Sequence, residues 1–542
     1  MSESGSGKHT LSRRDFLKIG GAAIAAVVAG DRVRATVEML DRSINMSAYV
    51  IKNPLNNEHS INFPRLLIDA PHLVKHTKDG FEFHNAETNP FVLDFSSLAG
   101  EKIRLSGTKD TAAWSNAPWD KYKSGEAFGS VDAGLVFNGN FTIKGDVGRP
   151  PIFLADNLDR AFQFHGDGKT TTATVQDIKI SGLRSYAQTE NGDGNVPSPA
   201  YIVGDDVNLT LEGVLIDHKG SLPDGINETN AQLTKGVMLH NTKNNMPLHL
   251  SITHSALHGL QWDGIYANGK AQMVVDTVRL YQDAAYKQQR GVAIASTFND
   301  RKGFISVQNS DIRYCKGTAI WTSQGDQVPG NRPNILINGS SYDVNAWSVN
   351  MDKDQSVRLA TMVVKPYWDS DVIGDPTYWP MELWQENAKP DLSFGTLEFA
   401  IKPTHTESVR LLEFVNWHDY DALGKRGLQT HVREDIKHIG DIVITTGERM
   451  QKITRDAFLT FLGEVEKAHP EVNPAVIRMI YDPNTRQVGV QFATAFDKTT
   501  GNLSLSDFFW MPKNGESTPP VSSQKGKLGK ITRGQRSAMA AL

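Results

Sequence analysis

A short pattern of small and apolar residues returns along the chain between Ala161 and Val349. A small residue opens a strand whose apolar positions fall at period two. The copies are Ala161-Phe-Gln-Phe, Ala200-Tyr-Ile-Val, Gly236-Val-Met-Leu, Gly259-Leu-Gln-Trp, Gly291-Val-Ala-Ile, Gly317-Thr-Ala-Ile and Ala346-Trp-Ser-Val. Successive openings lie 23 to 39 residues apart. A second strand, interleaved with the first, ends at Ile180, Leu211, Ile252, Val275, Val307 and Ile337. Repeats of this length are stacked supersecondary units, each unable to bury its apolar face alone. Two or more short strands per unit, with no helix between them, predict an all-β parallel solenoid. Such a coil presents long side-chain ladders to solvent, and these suit polymeric ligands.

The pattern divides the chain. Residues 1–35 read as a signal peptide. Residues 36–90 read as an N-terminal cap with an apolar strand at Arg65-Leu-Leu-Ile-Asp69, and residues 91–350 as the coil. A different periodicity follows in residues 351–515, which predict a small α+β unit. There Thr396-Leu-Glu-Phe-Ala-Ile reads as a strand. Thr454 to Ala468 reads as an amphipathic helix with Phe458, Phe461, Leu462 and Val465 at helical spacing. Ala475-Val-Ile-Arg-Met-Ile-Tyr and Gln487-Val-Gly-Val-Gln-Phe read as a hairpin across a Pro-Asn turn. Residues 516–542 are Ser/Pro-rich, then basic, and read as a disordered tail.

Composition narrows the classes. The chain has 542 residues and a formal net charge of −4, so global charge points neither to nucleic acid nor to a membrane surface. Its single cysteine, Cys315, excludes an internal disulfide and cysteine-based zinc or iron–sulfur sites.

Ser12-Arg13-Arg14-Asp15-Phe16-Leu17-Lys18 precedes a mild apolar run from Ile19 to Ala29. The motif closely resembles the bacterial twin-arginine signal. The run is too short for an ordinary transmembrane helix, and Val33-Arg34-Ala35 reads as a cleavage site. The resemblance implies the twin-arginine translocase as an export partner, release to the periplasm or beyond, and no stable membrane insertion.

The strands of residues 90–350 resemble those of the right-handed parallel β-helix superfamily, which includes pectate lyases, polygalacturonases and alginate-processing enzymes. That resemblance implies a carbohydrate enzyme and an acidic polysaccharide as partner. His258, in Leu257-His258-Gly259-Leu260, matches the histidine of the polygalacturonase Gly-His-Gly motif. The Asp-Asp pair of that family is missing from the strand heads, since Asp205-Asp206 follows its strand. The two-carboxylate hydrolase mechanism needs such a pair.

Stacked turns place equivalent positions about 4.8 Å apart. The residues just before the openings are Arg160, Pro199, Lys235, His258, Arg290 and Lys316, a basic column suited to an anionic polymer. In β-elimination a uronate carboxylate is neutralised and a basic group takes the C5 proton. Lys235, His258 and Arg290 are the candidates for carboxylate binding and proton abstraction. A second column, after each strand, reads His165, Gly204, His240, Asp263, Ala295 and Trp321. Within it, His240 and Asp263 form the alternative acid/base pair, and Trp321 would stack a sugar ring. Arg160, Lys316, Tyr266 and Lys287 are substrate-binding candidates, with Tyr281 and Tyr286 extending the aromatic surface. Two Gly/Asn/Asp-rich excursions bring Glu190, Asp193, Asp224 and Glu228 as candidate calcium ligands, without the spacing of a known calcium loop. The expectation is an exported polysaccharide lyase. A polysaccharide hydrolase and a non-catalytic envelope binding protein are the alternatives.

Overall fold

The computed structural model describes residues 42–110, 131–168, 170–188, 198–219, 231–243, 247–269, 271–282, 294–297, 304–318, 320–323, 334–351, 356–364, 381–385, 391–416, 440–470, 472–497 and 502–512. These residues are mostly β, in large parallel sheets.

Three strands recur in each repeat. Arg160–His165 is followed by Thr172–Gln176 and Lys179–Ser181. The next repeats are Ala200–Asp205, Asn208–Glu212 and Leu215–Asp217, then Lys235–His240, Leu248–Thr253 and Ala256–Leu260. Ile265–Asn268, Ala271–Asp276 and Arg279–Gln282 come next. Each strand pairs in parallel with its counterpart one repeat on. The first strands belong to a ten-stranded sheet. The second and third strands form two stacks of the larger sheet.

Registered pairing stacks like on like. One interior column runs Phe162, Ile202, Val237, Ile265 and Ile294. A second runs Val175, Leu211, Ile252, Val275 and Val307. A third runs Ile180, Ile216, Leu257, Leu280 and Ile312. All are buried. Ile180 therefore belongs to the third strand of its repeat and not to the column of Leu211. Burying such aliphatic side chains contributes about 1.5–3 kcal/mol each. The corner between second and third strands is one residue in the left-handed region: Asp177, Gly213, His254, Thr277 or Asn309. A single positive-φ residue turns the chain without lengthening the repeat, and Gly, Asn and Asp adopt it at least cost.

Two expectations change here. Phe63–Asp69 is an α-helix, not a strand at Arg65–Asp69. The Asn62 side chain caps it, Pro64 sits in its first turn, and only Phe63 and Leu66 are buried. The apolar spacing is thus helical, with Ile68 exposed. Parallel pairing also does not stop near Val349. It runs from Asn334–Met351 through Ser356–Val364 and Asp391–Ile401 to Asp441–Thr446. Beyond it lies the helix Arg455–Ala468, capped by the Thr454 hydroxyl and burying Phe458, Phe461, Leu462 and Val465. Asn473–Asp482 and Gln487–Asp497 form an antiparallel hairpin.

Candidate functional site

The first strands of the repeats decide which candidate side chains meet. Arg160 pairs in register with Ala200, and Ala200 with Lys235. The sequence pattern had put Pro199 at that level. The small residue opening that strand is one position early, so Tyr201 takes the place of Ala161 and Gly236. A larger slip follows. Val237, Met238, Leu239 and His240 pair with Ile265, Tyr266, Ala267 and Asn268. The counterpart of Gly236 is therefore Gly264. Gly259 lies instead in the third strand Ala256–Leu260, at a positive φ of 73° where the register shifts. Gly259-Leu-Gln-Trp and Gly264-Ile-Tyr-Ala carry the same small-then-apolar pattern, so periodicity does not choose between them.

The corrected register rearranges both columns. Asp263, not His258, stands beside Lys235, and the two form an ion pair with Nζ 2.8 Å from Oδ2. His240 pairs with Asp205, not with Asp263: its Nδ1 lies 2.9 Å from Oδ1. His258 lies in register with Asp217 and Tyr281 on another stack, its ring stacked on Tyr281 at 4.8 Å. Burial holds its pKa below the ordinary value. Lys316 falls in the strand Asp311–Thr318 of the larger sheet, away from the heads of the first strands. The backbone of Trp321 is in register with Ala295, and Ala295 with Tyr266, so Trp321 shares a column with Tyr266. Arg290, Lys287, Tyr286 and the calcium candidates Glu190, Asp193, Asp224 and Glu228 lie outside the described residues. Among the described residues, no group of three or more His, Cys, Asp or Glu is placed to hold a metal ion.

One face of the ten-stranded sheet gathers the remaining candidates. Phe162 and Phe164 enter the main core, which sends Gln163 and His165 to the opposite side. On that side Ala200, Val203 and Met238 form a separate apolar cluster with Tyr266 packed against it. The column His165, Asp205, His240, Asn268 runs beside it. The Lys235 ammonium lies over the Tyr266 ring, 4.4 Å from its centroid, and the His240 ring meets Tyr266 edge-on at 6.3 Å. These side chains are not the open ladder the sequence suggests. Arg160, Gln163, Lys235, His240, Asp205 and Asp263 are all buried.

Burial sets the electrostatics. It lowers the Lys235 pKa, against the pull of Asp263 and with a further push from Arg160. It raises the Asp263 pKa, against Lys235 and Trp262. Burial thus opposes both charges, and the ion pair between them works against it. Burial also pulls the Arg160 guanidinium down to about 10, while Asp159, Asp205 and Asp110 oppose it. Arg160 Nη1 donates to the carbonyls of Asp159 and Ser198. Among the described residues its Nε and Nη2 have no hydrogen-bond partner, and neither do Gln163 Oε1 and His240 Nε2. Unpaired buried donors and acceptors are costly, which makes this cluster a candidate site.

Gln163, Asp110 and the pairing role of Asp205 escaped sequence reasoning. Gln163 Nε2 donates to Asp205 Oδ2 at 2.7 Å. His165 Nε2 lies within hydrogen-bond distance of Asp110 Oδ2, at 2.6 Å. A one-residue shift of the Ala200 strand would have put Asp205 in the histidine column. Nothing in the sequence announces Asp110, which enters from the antiparallel strand Thr108–Asp110.

Residues 10–30 match the model of the twin-arginine translocation pathway signal sequence. The match marks the chain for the twin-arginine translocase and for export across the cytoplasmic membrane. No curated protein and no solved structure matches the chain. No helix among the described residues is long and apolar enough to cross a membrane.

Proposed function

We propose that this protein is an exported carbohydrate-active enzyme that cleaves an acidic polysaccharide by β-elimination in the periplasm or beyond. The recurring three-strand repeat is read as a right-handed parallel β-helix, with the reaction on the buried face of its ten-stranded sheet. One observation carries the reading. Among the described residues, a wholly buried guanidinium with two unpartnered nitrogens sits in one charged cluster with a histidine whose Nε2 is also unpartnered.

The roles follow from the donors and acceptors. The Arg160 Nε and Nη2 groups take the uronate carboxylate as a bidentate pair and draw charge from it. This acidifies the C5 proton. His240 Nε2 takes that proton, with Nδ1 anchored by Asp205. The electron pair left on C5 forms the C4–C5 double bond as the C4–O bond breaks. The Lys235 ammonium, beside Asp263, supplies a proton to the departing oxygen. Tyr266 lies between Lys235 and His240, where its ring offers a face to a sugar.

The test is a screen of the exported protein over alginate, pectate, glycosaminoglycans and bacterial exopolysaccharides. The expected product is unsaturated and absorbs in the near ultraviolet. Arg160→Met should lower that activity at least about 100-fold. New reducing ends without the absorbance would replace elimination by hydrolysis. Polysaccharide binding without any product would leave a binding protein.

A further inference from the structure

We propose that Asp110, His165 and Asp205 form a chain of alternating charge that fixes His240 with its proton on Nδ1 and its Nε2 lone pair unbonded among the described residues. The proposal deepens the reading above only in treating His240 as the base. The tautomer itself follows from the geometry.

The argument starts at His165, whose two ring nitrogens face two carboxylates. Nε2 is 2.6 Å from Asp110 Oδ2, and Nδ1 is 3.4 Å from Asp205 Oδ2. An ionised carboxylate only accepts hydrogen bonds, and a neutral imidazole has a single N–H. A neutral His165 would therefore turn a lone pair toward one of the two anions. The imidazolium avoids this, because both of its nitrogens donate. Burial works against that charge, but the hydrogen bond and charge of Asp110, with Asp205 and Glu82, raise the His165 pKa above its ordinary value.

The charged neighbours of His165 are of both signs. Glu82, from the strand Gly80–Asn85, is bonded to Asn138 and His84. Burial, with Lys75, lowers the His84 pKa, so that ring favours its neutral form. Arg160, on the same strand as His165, brings a cation. The Lys243 ammonium, near the end of that strand, is bonded to the Gly166 carbonyl and lies 3.9 Å from Asp206.

With His165 charged, Asp205 stays an anion and must accept from His240. Its Oδ1 takes Nδ1–H at 2.9 Å. Gln163 holds the other oxygen from the side, which keeps the carboxylate from rotating. His240 then carries its proton on Nδ1, and its Nε2 has no hydrogen-bond partner among the described residues. Asp205, His165 and Asp110 are thus positioning residues, one, two and three contacts removed from His240.

Imidazole nitrogen spectra of the full chain, labelled with ¹⁵N-histidine, test this directly. His165→Gln and His240→Gln each remove one signal set and so assign it. The expected result is a doubly protonated His165 at about pH 7 and a neutral His240 protonated on Nδ1. Asp205→Asn should let His165 lose its proton at lower pH and mix the His240 tautomers. A neutral His165 at that pH, or a His240 proton on Nε2, overturns the proposal. Should a glutamine variant fold poorly, His165→Asn or His240→Asn gives the same assignment. On a substrate found by the screen, Asp110→Asn should lower kcat about 10- to 100-fold and shift the pH profile, with KM little changed. A loss of thermal stability with an unmoved pH profile would reduce Asp110 to a structural role and overturn its place in the chain. Failure of every substrate would remove the lyase reading and leave the spectra to judge the chain alone.

Discussion

Lys235 and Asp263 show how strongly a single buried contact binds its two members. Each alone would leave a charge in an environment that penalises it. Lys235→Met should cost about 3–5 kcal/mol, because the Asp263 carboxylate loses its partner. Adding Asp263→Leu should recover most of that loss, since a well-packed apolar pair replaces a desolvated one. Urea unfolding of the single and double variants measures both. His218 gives a second residue-scale outcome. Its Nδ1 accepts from the Tyr201 hydroxyl at 2.8 Å, and burial lowers its pKa to about 4 in spite of Asp217. An unfolded histidine titrates near about 6.5, so on acidification the unfolded chain takes up the proton first. Stability is then complete above about pH 6.5 and falls as the pH drops toward 4, by about 3 kcal/mol in all. His218→Gln keeps an acceptor for Tyr201 and should flatten this slope in melting curves taken between those limits.

Elements here are held by what stacks on them in the next repeat. Phe137, in the strand Val131–Gly139, lies between Phe83 at 5.2 Å and Phe164 at 4.8 Å, both rings stacked on its own. It also meets Phe162 edge-on. Phe137→Ala empties a fully buried site between two strands and should cost about 3–5 kcal/mol, read from unfolding midpoints. Gly236 tests the opposite error. A Cβ there would lie 2.3 Å from the Gly264 carbonyl oxygen, in the closely apposed strand, and 2.8 Å from Leu260. Backbone cannot swing aside as a side chain does, so Gly236→Ala should cost about 1–3 kcal/mol despite adding one methyl group. The pair of glycines therefore helps set the register that brings Lys235 against Asp263.

At the scale of the whole molecule, the twin-arginine signal and the parallel stacks bear on the same problem. Long-range parallel pairing forms slowly and leaves strand edges open while it does. Completing the stack before export shields those edges. Replacing Arg13 and Arg14 together by Lys should strand the protein in the cytoplasm, seen by fractionation, while leaving the fold intact by circular dichroism. The parallel pairing reaches Asp441–Thr446 and is followed by a helix and an antiparallel hairpin. Antiparallel partners end a parallel stack without presenting another parallel edge.

Period-two apolarity with small residues at strand heads was enough to read an all-β chain of parallel repeats, because interior columns demand like residues at like positions. The Arg-Arg motif was likewise legible, since a receptor reads it as linear sequence. Sequence reading placed Arg160 and Lys235 in one column and His240 and Asp263 in another, and the structure brings these four and Tyr266 to one face. Their partners were not legible. A strand that slips by one residue sends its side chains to the other face, and small-then-apolar patterns occur at both Gly259 and Gly264. Only packed backbone, with Gly236 against Gly264, chooses between those registers. That choice moved His258 to another stack, gave Asp263 to Lys235 and gave Asp205 to His240. It also buried a face that sequence alone had left open to solvent, because exposure depends on what the rest of the chain covers.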